Sequence, residues 1–169
     1  DYYASRGLGD VYKRQIVEES GTPEKQLILE LTESCKVSDP NGLRDDFEYF
    51  KNMGINMALD DFGTEYSSIA LLRKLKPQWI KIDHTFVRSI QDDEMDQAIL
   101  EYIMNLSKQT RIKVCVEGVE NKEILSVVQT YKPELLQGYY YSRPCPAEEF
   151  SKKYFNGKDK TGSYGCLKK

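Results

Sequence analysis

The sequence predicts an α/β fold built on a parallel sheet, and three observations carry that prediction. Short apolar runs of strand length alternate with stretches of helical apolar spacing along most of the chain. Such alternation forces parallel pairing through helical crossovers. Charged and amide side chains recur at the ends of successive apolar runs, the edge where parallel α/β enzymes place their chemistry. Two architectures satisfy this pattern, an open doubly wound sheet and a (β/α)8 barrel. No Gly-x-Gly-x-x-Gly follows any run, which weakens the dinucleotide-binding version. About five strands are legible, whereas a barrel typically takes about 250 residues.

The elements follow in order. Gln26–Thr32 (QLILELT) is a buried strand carrying one charge, Glu30. Asp39–Gly42 (DPNG) reads as a turn. Leu43–Gly54 sets Leu43, Phe47, Phe50 and Met53 on one helical face, and Gly54 ends that helix. Ile55–Asp60 (INMALD) is the second strand. Ser67–Leu75 has a serine start and an apolar stripe, so it is a helix, closed by Pro77. Gln78–Asp83 (QWIKID) is the third strand, Met95–Thr110 a longer helix with Ile99, Ile103 and Leu106 on one face, and Lys113–Val119 the fourth strand. Lys122–Tyr131 is a helix, Glu134–Ser142 a fifth strand running into a loop, and Ala147–Phe155 a closing helix.

Composition narrows the function classes. A net charge of −3 provides no sequence-wide basic field for a nucleic acid polymer. No apolar run approaches the roughly 18 residues that cross a bilayer, and the expected location is the cytoplasm. Cys35, Cys115, Cys145 and Cys166 lie far apart without a C-x-x-C pair, which fits thiols in a reducing compartment. His84 is the sole histidine, so a metal here would be held by oxygen, which favours Mg, Mn or Ca. Residues 1–14 carry neither periodicity and read as linker or non-native sequence. Residues 156–169 are polar and rich in Gly and Lys, and read as a mobile tail, leaving 15–155 as the domain.

The polar residues at strand ends form one constellation. Glu30 stands near the end of the first strand, Asp60 and Asp61 end the second, Lys81 is near the end of the third, Glu117 ends the fourth and Gln137 the fifth. In a parallel sheet these ends converge on one face. A lone acid at a strand end is as a rule a helix cap or a solvated charge; recurrence at five successive ends argues for a site. Carboxylates gathered in one cleft repel one another and lose hydration, and divalent cations offset both costs. An adjacent Asp-Asp pair allows one carboxylate to bridge two metals while its neighbour binds the second, the arrangement that hydrolyses phosphodiesters. Lys81 would orient the attacking water or neutralise phosphate charge.

Five motifs, ELTES (Glu30–Ser34), DDFGTEYSS (Asp60–Ser68), IKIDHTFV (Ile80–Val87), EGVE (Glu117–Glu120) and QGYYYSRPCPAEEF (Gln137–Phe150), resemble the EAL domain family in order and spacing. These are bacterial phosphodiesterases that linearise cyclic di-GMP to pGpG. The resemblance implies a TIM-like (β/α) barrel, here partial and lacking its first strands, with two Mg or Mn ions. It implies that Glu30 is a ligand of the first metal, Asp60 the bridge, and Asp61 and Glu117 ligands of the second. By the same resemblance Lys81 and Gln137 hold the catalytic water or the phosphate, and Glu33 and Glu120 hold the loop after Asp61 in its working shape. It further implies an EAL–EAL homodimer, and fusion to cyclase or sensor domains in a full-length protein that is in some cases membrane-attached. Two departures stand out. Glu65 replaces the last glycine of the family's Asp-Asp-Phe-Gly-Thr-Gly loop, and the Glu-Ala-Leu signature and the next strand's asparagine are absent. The expectation is therefore little catalysis by this chain alone. The rival reading is a degenerate EAL domain that binds nucleotide or a protein partner without turnover.

Overall fold

The computed structural model describes residues 19, 21–32, 40–64 and 68–154. The expectations for 1–14, 156–169, Glu33 and Glu65 lie outside the described residues. Among the described residues five strands, β1 (Ile28–Thr32), β2 (Asn56–Phe62), β3 (Trp79–Ile82), β4 (Lys113–Val116) and β5 (Leu135–Leu136), form one sheet in that order. Every pairing is parallel. A doubly wound sheet reverses its strand order at a switch point. This sheet has no reversal, so right-handed crossovers stack the helices along one side, as in the wall of a barrel. The architecture is the α/β barrel type, seen here as a five-stranded arc.

The helices are α1 (Pro40–Asn52), α2 (Ser68–Leu75), α3 (Glu94–Thr110), α4 (Lys122–Val128) and α5 (Ala147–Tyr154). Strand residues alternate between two faces. Met57 and Leu59 of β2, Ile80 and Ile82 of β3, and Val114 and Val116 of β4 join the buried core with Phe47 and Phe50 of α1, Leu72 and Leu75 of α2, Leu100, Ile103 and Met104 of α3, and Ile124 and Val128 of α4. Each fully buried aliphatic side chain contributes roughly 1.5–3 kcal/mol. The intervening residues, Glu30, Ala58, Asp60, Lys81 and Cys115, face the other side, the barrel interior. The alternation therefore separates an apolar helix-facing layer from a polar interior row.

Caps fix the element boundaries. The Asp93 side chain accepts from the Met95 and Asp96 N–H groups at the start of α3, and the Asn121 side chain accepts from Ile124 N–H at the start of α4. Gly54, at φ +87°, ends α1 as the sequence predicts. Several boundaries differ from expectation, among them β2, which runs on to Phe62, and the helix from Lys122, which ends at Val128; three of the differences have a plain local cause. Pro40–Gly42, expected in a turn, form the first turn of α1, because proline's fixed φ suits a helix start. The fourth strand stops at Val116, since Gly118 turns the chain at φ +75°. The fifth strand is two residues long, because Tyr140 N–H reaches back to Val119 O and Tyr141 N–H to Gly138 O, closing a turn where an extended run was expected.

Candidate active site

Lys81 is the hub of the interior row. Its Nζ lies 2.9 Å from Glu30 Oε2, 2.9 Å from Asp60 Oδ1 and 2.9 Å from Glu117 Oε1, with the lysine side chain only 11% exposed. The register explains the convergence. Ala58 pairs with both Glu30 and Trp79, and Lys81 pairs with Cys115, so these inward positions form adjacent columns. Glu30 stands in the middle of β1, below the strand end where Thr32 pairs with Asp60. It therefore approaches the cluster from beneath.

Asp60 and Asp61 pose a geometric problem, because neighbours on a regular strand point to opposite faces. The structure solves it with a bulge. The β2–β3 register shifts between Leu59 and Phe62, and Asp61 takes the left-handed region at φ +54°. Aspartate tolerates that region better than most residues. Thr64 N–H and Oγ1–H both donate to Asp61 O and close the turn behind it. As a result Asp60, Asp61 and Glu117 each present a carboxylate oxygen within 4.8 Å of one another.

The electrostatics are those of one cation shared too widely. Burial alone would lower the Lys81 pKa, but its contacts with Asp60, Glu117 and Glu30 outweigh burial and raise it. Glu117 nevertheless sits above the usual carboxylate range. Burial, with repulsion from Asp60 and Glu30, exceeds what its share of the ammonium restores. Asp61 is raised as well, by burial and then by Asp60 and Asp83. The contact of Asp60 Oδ1 with Lys81 is an ion pair by distance only; that oxygen is buried and has no hydrogen-bond donor at acceptable angles among the described residues. An under-satisfied buried oxygen beside two further carboxylates is a hard donor set suited to Mg, Mn or Ca. Counted formally, four carboxylates against one ammonium leave three negative charges in excess. The residues present therefore fit divalent cations. Cys115, also interior, has its thiol pushed up to about 11 by burial and then by Glu117, which keeps it protonated and unreactive.

The remaining predicted residues lie at the rim. Gln137 follows β5; its backbone N–H donates to Val116 O and its carbonyl accepts from Val119 N–H, while the residue is exposed. Glu120 is exposed and lines a cavity of about 200 Å³ with His84, Arg88, Gly118 and Ile124. Sequence reasoning missed Asp83. It is 6% exposed, accepts from Thr85 N–H and Oγ1–H, and contacts His84 Nδ1, thereby capping the turn that follows Lys81. The D-x-T spacing of a side-chain cap was the available signal.

A family model described as EAL domain matches residues 6–144. The chain belongs to the EAL domain family. The chain is 34% identical over 144 residues to the cyclic di-GMP phosphodiesterase NbdA of Pseudomonas aeruginosa, covering 83% of this chain and 18% of NbdA. Among solved EAL relatives, the MucR phosphodiesterase of the same organism in complex with c-di-GMP superposes with a TM-score of 0.73 at 33% identity, over 81% of this chain and 56% of MucR's. A manganese and cy-diGMP complex of Klebsiella pneumoniae BlrP1 gives 0.74 at 30% identity, over 79% of this chain and 34% of BlrP1's. This EAL chain thus spans about a fifth of the full-length relative NbdA. No helix among its described residues is long and apolar enough to cross a membrane.

Proposed function

We propose that this EAL chain carries the metal-binding core of a phosphodiesterase that hydrolyses cyclic di-GMP to linear pGpG. One observation supports the reading above the rest: Asp60, Asp61 and Glu117 converge within 4.8 Å around an under-satisfied buried oxygen, with Lys81 against them. The names of its relatives point to the same substrate and to manganese.

Glu30, Asp60, Asp61 and Glu117 would hold the Mg or Mn ions, two in the complete domain, with Glu30 and Asp60 as this chain's share of the first and Asp60, Asp61 and Glu117 its share of the second. Bound there, the ions would supply a nucleophilic water at neutral pH and charge neutralisation at the phosphate. The chain's own residues do the rest. Hydrolysis forms a bond from water oxygen to phosphorus and breaks the bond to the 3′ oxygen, which takes up a proton as it leaves. Lys81, held cationic by its carboxylates, faces the negative charge that develops on the phosphoryl oxygens. Gln137 holds the water or phosphate from the rim of β5. Glu33 and Glu120 brace the loop after Asp61. A second copy of the chain is the proposed protein partner, fused cyclase or sensor domains the proposed neighbours in a longer protein, and the cytoplasm the proposed setting.

The test is turnover of cyclic di-GMP by the natural protein containing this chain, followed by chromatography of pGpG with Mn and with a chelator. Manganese-dependent pGpG supports the reading. Tight nucleotide binding without turnover would establish the degenerate alternative.

A further inference from the structure

A second cavity lies far from the carboxylates, at the opposite edge of the sheet. It is a groove of about 660 Å³ between the C-terminal ends of α2 and α3, within the range of small-molecule sites. Its floor and walls include Ile69, Leu72, Tyr102 and Leu106. Ile69 is 60% and Tyr102 58% exposed, so two large apolar side chains stand open to solvent at its mouth. Four cations surround it, Arg73, Lys76, Arg111 and Lys113, and no carboxylate lines it among the described residues. None of the four has an ion-pair partner among those residues. The nearby amides are already used, since Gln78 Oε1 accepts from Met57 N–H and Asn56 Nδ2 donates to Lys25 O. Lys113 Nζ already lies 5.0 Å from the centroid of the Trp79 ring, so Arg73, Lys76 and Arg111 are the cations of the groove with no side-chain partner among the described residues.

Helix ends explain only part of this charge. Lys76 and Arg111 are the left-handed residues that close α2 and α3, at φ +48° and +60°. Each helix C-terminus carries roughly half a negative charge. Two such ends offset about one of the four positive charges, leaving about three uncompensated. That excess is unusual on a chain whose net charge is −3. A second copy docking by the same face would set four cations against four, which a two-fold interface disfavours.

We propose that this groove binds a soluble amphiphilic anion: an aromatic or acyl body of drug size seated on Ile69 and Tyr102, with a phosphate, sulfonate or carboxylate head held by the four cations. The site is separate from the carboxylate cluster, and the proposal does not depend on phosphodiester hydrolysis. The probe is decyl phosphate, titrated into the chain by calorimetry below its micelle concentration, with decanol and inorganic phosphate as the two halves of the ligand. Decyl phosphate is expected to bind at one site, at least tenfold more tightly than either half, and less tightly as salt rises. Arg73→Glu with Lys76→Glu should weaken it at least tenfold while circular dichroism and manganese binding stay unchanged. Ile69→Asp, also exposed, should do the same. Equal binding of decanol, or unchanged binding by the charge-reversed variant, would overturn the proposal. So would recruitment to phosphatidylglycerol vesicles without binding of the soluble probe, or loss of a chain dimer in the charge-reversed variant, which would assign the groove to a membrane or to a second copy.

Discussion

Replacing Lys81 by methionine isolates the hub of the site, because methionine keeps most of the side-chain bulk and deletes the charge. The substitution strips the ammonium from three carboxylates at 2.9 Å. Removing one partner of a fully buried pair costs about 3–5 kcal/mol. Here the partners are unequally buried. Glu30 is 44% exposed and relaxes into water, whereas Asp60 and Glu117 are 16% and 17% exposed. The expected loss is therefore about 2–3 kcal/mol at pH 8 in a chelating buffer. For a chain of this size that lowers Tm by about 4–12 °C. The deficit has two signatures that a packing defect lacks. It shrinks as pH falls, because the abandoned carboxylates take up protons. It also shrinks with manganese to the extent that the metal binds the uncompensated carboxylates of the variant more tightly than those of the parent, each tenfold in affinity being about 1.4 kcal/mol of extra stabilisation. Thermal unfolding followed by circular dichroism, across pH and with or without manganese, reads all three. Equal Tm for the variant and the parent chain at pH 8 in chelator would refute the shared-cation picture.

Further outcomes follow from single contacts. Gly118→Ala should destabilise by about 2–4 kcal/mol in urea titrations, because φ is +75° and the added Cβ would lie 2.5 Å from His84 Cβ. Burial alone would raise Asp83, but Thr85 and His84 outweigh it and hold the carboxyl below its usual range. Its stabilisation is thus fully present above the unfolded pKa near 3.8 and lost as pH falls through the lower folded value. Asp83→Asn should flatten the acid limb of the stability–pH curve; an unchanged limb would count against this assignment. Asp61→Gly relieves the strained φ of +54° yet deletes a proposed metal ligand, so it should cost manganese affinity at least tenfold in calorimetry while costing little in Tm.

Much of the architecture was readable because two periodicities coincide with function. Met57, Leu59, Ile80, Ile82, Val114 and Val116 alternate with Asp60, Lys81 and Glu117, so the pattern that finds the strands also finds the polar row. Strand order was not readable from periodicity; the barrel reading came from the five motifs and their resemblance to the EAL family. Periodicity shows that strands and helices alternate, but the choice between a reversing sheet and a barrel wall rests on tertiary pairing. The bulge at Asp61 was equally hidden, since two adjacent aspartates on an ideal strand would face opposite ways. Lys81 was read as a partner of water or phosphate. Its contacts with three carboxylates at once come from register across β1 to β4, which no local window contains. The short β5 was overread, because the tyrosines after Gly138 have strand propensity while their backbone closes a turn against Val119.

The central claim is that Asp60 holds metal and Lys81 acts on the phosphate. Manganese calorimetry beside cyclic di-GMP turnover in the natural protein, for Asp60→Asn and Lys81→Ala, tests it most directly. Asp60→Asn should lose metal affinity and turnover together. Lys81→Ala should keep its manganese while turnover falls about 10²–10³-fold, the cost of one transition-state donor. Loss of manganese by Lys81→Ala as severe as by Asp60→Asn, or unchanged turnover in both, would contradict the account.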